Sequence, residues 1–319
     1  MTEQSDFQRL IGYVQSFELA QVADAWAVLE PCFAEDAVHI THNAGTMGSE
    51  SHGRDAVIEG LRRSVLDHDR RFDLRIAEIL EGPRTRPDGI WMRYALTLRR
   101  AGLPDLRLEG EHLAEYADGR IVRLEEWLPA DTPGRIEAFL AEHGDALRPA
   151  GSSLATPDPR DLRELEEATA RSMVRVYGGA KSEQDIGAAL AVCTEDFVLE
   201  TPAFGTRSVG REETAGQLGV FFSAFPDYDV ELEGFAQGDA VVAWGRARLS
   251  LRGELLGITP TQKTAELAFY SLFDVANGLI QKERFIFDRA EFCEQLGLPA
   301  AALEEARTLL IAAQGGTHG

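Results

Sequence analysis

The sequence predicts an α+β protein built from two copies of one unit, with helices covering one face of a curved antiparallel sheet in each. Three observations predict it. Four short matches recur in the same order at nearly constant spacing: Ala34–Val38 with Thr194–Val198 at 160 residues, Gly53–Asp55 with Gly210–Glu212 at 157, Phe72–Ile76 with Tyr228–Leu232 at 156, and Asp118–Ile121 with Asn277–Ile280 at 159. Such a series reads as a diverged duplication. Each copy then runs helix first and long strand-like segments after. Between them, Arg148 to Pro159 is rich in Pro, Gly, Ser and Thr and lacks an apolar period, as linkers do. The expected domains are therefore 1–148 and 160–319, with a C-terminal helix on the second and a linker over 149–159.

The elements follow in order. A helical stretch is expected from Phe17 to Phe33, and its counterpart from Leu162 to Val192. A short extended segment follows each, Ala37 to Thr41 and Phe197 to Thr201. After a loop, a helix opens at Gly53-Arg54-Asp55 and at Gly210-Arg211-Glu212. Strand-like segments close each copy; in the second they are Tyr228 to Phe235, Ala240 to Leu251, Thr264 to Val275 and Leu279 to Asp288. Asn277-Gly278 between the last two is a strong hairpin signal, because a type I′ turn needs positive φ at both central residues. Asp118-Gly119 is its counterpart.

Composition narrows the function classes. At 319 residues the chain is about two domains long, and 44% hydrophobic with 27% charged residues suits a folded globular protein. Its 53 acidic and 32 basic residues give a net charge of −21, a field that repels phosphate backbones and anionic lipid. Neither nucleic acid nor membrane is an expected partner. No apolar run approaches the ~18 residues of a membrane span. The polar N-terminus MTEQSDFQRL lacks the pattern of a signal peptide, so a cytoplasmic location is expected. Cys32, Cys193 and Cys293 are odd in number and far apart, which suits small buried hydrophobes better than disulfides or a metal ribbon. His39 and His42 sit three apart on an extended segment and point to opposite faces, against a metal site with His52 and Glu111. No dinucleotide fingerprint, phosphate loop or metal motif is present, so neither cofactor nor metal is expected.

Several motifs resemble a known family. Phe225-Pro226-Asp227, Gly253-Glu254-Leu255-Leu256-Gly257-Ile258-Thr259-Pro260-Thr261, Gly278-Leu279-Ile280 running to Asp288, and Gln295-Leu296-Gly297 resemble the SnoaL-like polyketide cyclases over most of residues 165–298. The first half resembles the broader nuclear transport factor 2-like superfamily, which includes ketosteroid isomerases and epoxide hydrolases. That likeness rests on Glu35-Asp36-Ala37-Val38, Gly53-Arg54-Asp55-Ala56 and Asp118-Gly119-Arg120-Ile121-Val122. The resemblance implies a cone of sheet and helices around an apolar cavity in each half. It also implies an intramolecular pseudo-dimer, with a homodimer of the fused chain as a further state. The activity implied is cofactor-free acid/base chemistry of bacterial secondary metabolism on a polyketide-like or other hydrophobic small molecule: ring closure, dehydration or isomerisation, or epoxide opening. In this likeness the cyclases' aspartate falls on Asp288, their histidine on Leu251, and the isomerases' base on Thr41 and Thr201. The isomerases' acid, eight residues before the hairpin glycine, falls on Glu111 and Tyr270. With the cyclase histidine replaced, a non-catalytic small-molecule-binding or scaffolding protein stands as the alternative.

Asp288, Tyr270, Glu111 and His42 are thus the candidate catalytic groups. Asp288 either moves a proton beside Arg284, on the same strand face, or caps the helix that opens at Arg289. Tyr270 either donates to a substrate oxygen or bonds to backbone as a core tyrosine. His42 pairs with Glu111 as a cavity acid/base, or is a half-exposed loop histidine. The candidate binding residues are Arg284, Trp244 with Arg246, Trp91 with Arg93, Trp127, and Glu200 or Thr201, of which only one can point inward. Aromatic–arginine pairs hold planar ligands, although ordinary sheet packing produces the same pattern.

Overall fold

A computed structural model describes residues 4–45, 50–255, 257–301, 303, 304 and 308. The chain divides into two compact units, Met1–Ser172 and Met173–Gly319. Leu256, within the Gly253–Thr261 motif, lies outside the described residues, as does most of the chain after residue 304.

The first unit contains α1 (Asp6–Ala23), β1 (Phe33–His42), β2 (Glu50–His52), α2 (Arg54–Asp67), β3 (Leu74–Arg86), β4 (Gly89–Arg99), β5 (Leu106–Ala117), β6 (Arg120–Trp127) and α3 (Thr132–His143). Its sheet runs β2-β1-β6-β5-β4-β3. The helix α4 (Pro159–Ser182) supplies its first part to this unit and its remainder to the second. There follow α5 (Ile186–Ala191), β7 (Cys193–Thr201), β8 (Thr206–Val209), α6 (Arg211–Ala224), β9 (Asp229–Gln237), β10 (Val241–Ser250), β11 (Thr264–Ala276), β12 (Leu279–Phe287) and α7 (Arg289–Leu296). The second sheet, β8-β7-β12-β11-β10-β9, repeats the topology of the first. Each unit is α+β, as the repeat implied.

Local chemistry explains the boundaries. Ser5 and Gln8 close a capping box on α1, which ends at Asp24 in the left-handed conformation. The helix expected to Phe33 therefore stops early, and a 3₁₀ stretch holding Pro31 follows. The second long helix also divides: Asp185 caps α5 by accepting from the Ala188 amide at 2.8 Å. Positive φ at Asp118 and Gly119, and at Asn277 and Gly278, gives the two I′ hairpins. Gly53 and Gly210, at φ 86° and 84°, turn the chain into α2 and α6.

Two details of the sheets set which side chains reach the interior. The sheets are not wholly antiparallel, because β1 pairs with β6, and β7 with β12, in parallel. The β12 register also shifts between Ile280 and Lys282, so Glu283 and Phe285 face the core while Lys282 and Arg284 face outward. On β11 the buried set is Ala265, Leu267, Phe269, Ser271 and Phe273. Among the described residues no helix is long and apolar enough to cross a membrane.

Candidate functional site

In the second unit, α6 and the inner faces of β7 and β12 enclose a cavity of about 220 Å³. Leu199, Phe204, Leu218, Phe221, Leu255 and Phe285 make its wall mostly apolar. Its polar groups are few. Thr201 and Ser208 face it from the sheet, Glu213 lines it from α6 while accepting from the Val209 amide at 2.9 Å, and Gln217 donates from Nε2 to the Thr206 hydroxyl at 3.0 Å. The Gln217 Oε1 atom is buried without a hydrogen-bond partner.

Lys181, in the last turn of α4, lines the same cavity with its side chain only 7% exposed. Its Nζ lies 3.1 and 3.3 Å from the Glu283 carboxylate oxygens, and Ser271 Oγ donates to Glu283 Oε1 at 2.9 Å. The rings of Tyr177 and Phe285 stand 4.9 and 5.1 Å from Nζ. The carboxylate, hydroxyl and rings together offset the cost of burying this amine. Burial, then the charge of Glu283, hold the Tyr177 hydroxyl well above its ordinary pKa, so it stays protonated.

Neither Lys181 nor Glu283 was singled out from the sequence. A signal existed: Ala170, Val174, Tyr177 and Lys181 fall at helical spacing on one face of α4, so an apolar stripe ends in a lysine. Glu283 was hidden by the register shift in β12, which no composition rule reveals.

Most expected site residues lie elsewhere. Asp288 is an exposed helix cap whose Oδ1 accepts from the Ala290 and Glu291 amides at 2.7 and 3.1 Å. Tyr270 is 57% exposed, because β11 turns its odd-numbered side chains inward. Arg284 is 53% exposed beside Glu200, which also meets Lys282 at 3.1 Å. Trp244 is cross-strand to Tyr270, packs over Gly234, and shares the outer face with Arg246, whose partners are Glu233 and Glu266. Thr201, rather than Glu200, points into the cavity.

The first unit repeats this outcome. Glu111 faces outward and accepts from Trp91 Nε1 at 2.8 Å. Arg93, opposite Glu111 on that face, meets Glu81 and Glu109. His42 stacks on Trp127 at 5.3 Å and bonds Glu125 at 3.1 Å, so it is not paired with Glu111. The structure gathers these groups on the outer sheet face and not in a cavity.

The first unit has its own cavity of about 120 Å³, with a different character. Arg75 is held there between Asp69 at 3.0 Å and Glu18 at 2.9 Å. Burial raises the Asp69 carboxyl to about 6 against the pull of Arg75. His39 and Glu126 face each other at 3.7 Å, and the Thr41 hydroxyl donates to Glu126 at 3.4 Å. Burial alone would raise Glu126, but His39, His112 and Thr41 outweigh it and bring the carboxyl down to about 2. Among the described residues no group of three or more His, Cys, Asp or Glu is placed to hold a metal ion.

Residues 170–296, almost all of them in the second unit, match the model of the SnoaL-like polyketide cyclases. No curated protein matches the chain. Among solved structures, a candidate SnoaL-like polyketide cyclase from Jannaschia sp. CCS1 is 20% identical, with 45% of this chain and 98% of that one covered at a TM-score of 0.39. IdmH, a candidate polyketide cyclase from Streptomyces antibioticus, is 24% identical over 40% of this chain and 96% of its own, at 0.35. A protein with a ketosteroid isomerase-like fold from Catenulispora acidiphila DSM 44928 is 17% identical over 40% and 95%, at 0.37.

Proposed function

We propose that the second unit performs cofactor-free acid/base chemistry on a polyketide-like or other hydrophobic, oxygen-bearing small molecule. The observation that carries this reading is Lys181, which lines a mostly apolar cavity while its ammonium is held by the buried Glu283 carboxylate outside that lining. At about 220 Å³ the cavity exceeds the ~150 Å³ that accepts a benzene ring, so a ring-sized ligand fits. Ring closure, dehydration or isomerisation of a ketone, and epoxide opening all build negative charge on a substrate oxygen. A fixed ammonium donor stabilises that charge more strongly in an apolar cavity than in water. Lys181 is the donor in this reading. Glu283 and Ser271 fix its direction, and Gln217 offers an acceptor to a substrate hydroxyl.

Titration and turnover with a panel of polycyclic ketones and epoxides test the proposal. The wild type binds and converts at least one of them, and Thr201→Phe, which fills the cavity, abolishes both. Binding that survives Thr201→Phe would place the ligand elsewhere. Binding without turnover by the wild type would mark a carrier or scaffold instead.

A further inference from the structure

We propose that the cavity of the first unit is a second ligand site, taking a small, neutral, ring-sized molecule that carries a hydroxyl group, with His39 and Glu126 as its polar contacts. At about 120 Å³ it is close to the ~150 Å³ that holds benzene, which limits the ligand to one small ring. Leu61, Val65, Leu96, Leu108, Leu128 and Ile136 supply an apolar wall for that ring.

The polar end chooses the functional group. His39 is 3% exposed, and neither ring nitrogen has a hydrogen-bond partner. A buried polar group left in that state costs free energy that a ligand atom can recover. Glu126, kept ionised by its neighbours, only accepts. Imidazole and carboxylate are 3.7 Å apart, too far to satisfy each other. A hydroxyl donates to one and accepts from the other. An ammonium can only donate. An anion is disfavoured beside Glu126 and Asp69, since Arg75 is already answered by Asp69 and Glu18.

Histidine labelling of the full chain reads the first unit, in which His39 is the histidine that lines the cavity. His39, His42, His52, His68, His112 and His143 lie in the first unit, and the remaining histidine, His318, lies outside the described residues. Titration with phenol should shift the His39 ring resonances saturably, and benzene should bind at least tenfold more weakly. Benzylamine and benzoate should bind more weakly than phenol. His39→Leu should bring phenol and benzene within about threefold of each other, a loss of the hydrogen-bond discrimination. Leu108→Trp, which fills the cavity, should abolish binding of both. Benzene as tight as phenol, benzylamine tighter than phenol, or no saturable shift at His39 would overturn the proposal. Any of these leaves the Lys181 reading of the second unit intact.

Discussion

Burial holds the His112 imidazole neutral where a free imidazole would take a proton, lowering its pKa from 6.5 to about 4. The unfolded chain therefore binds this proton first. The contribution to stability is complete above pH 6.5 and is lost as pH falls toward 4. Between pH 7 and pH 5 this amounts to about 2 kcal/mol. Urea midpoints at the two pH values should show that loss in the wild type and little of it in His112→Leu. Asp69 carries the opposite sign: raised to about 6, it contributes below 3.8 and its contribution is lost as pH rises through 6. For that reason the variant is the proper reference. His112 also shows why so few site residues could be read in advance. Counting eight back from the hairpin glycines lands on Glu111 and Tyr270, whereas the next residues, His112 and Ser271, are the buried ones. With a side-chain period of two, an error of one exchanges the two faces completely. On β11 both faces hold apolar residues, Phe269 on one and Leu272 on the other, so hydrophobicity did not decide between them.

The last strand and the helix after it show the same tension within one element. Asp288 had two readings, and its two amide bonds identify the helix cap. Asp288→Ala should cost about 1 kcal/mol, read as a lower denaturation midpoint, with activity per folded molecule unchanged. Loss of activity without loss of stability would instead return Asp288 to the site. Strands were legible to within a few residues because alternation and the Asn277-Gly278 turn are local signals. The parallel β1–β6 pairing was not, since it joins segments more than 80 residues apart and leaves no local mark. Helix ends were missed where one residue, Asp24 or Asp185, redirects the chain.

Across the whole molecule the duplication preserved topology and changed the interiors. One cavity is a mostly apolar space whose charged lining residues are Lys181 and Glu213, and the other is smaller and is lined by two carboxylates, an arginine and a histidine. The offsets near 160 residues revealed the repeat, but chemistry inside the units diverged at inward positions that the matching segments do not include. In the second unit, Lys181→Met alone leaves the Glu283 carboxylate buried and unpaired. It should destabilise that unit by about 3–5 kcal/mol. Lys181→Met with Glu283→Leu removes both charges and should restore the midpoint to near or above the wild type. A double variant as unstable as the single one would mean that the pair supports the fold through packing and not through charge. Because the double variant is expected to fold without the proton donor, it also isolates chemistry from stability. The most direct measurement is therefore the turnover number of the Lys181→Met/Glu283→Leu protein beside that of Asp288→Ala, on whichever ketone or epoxide the wild type converts. The account predicts a loss of ~10²–10⁴-fold in the first and wild-type turnover in the second; full turnover in the folded double variant would contradict it.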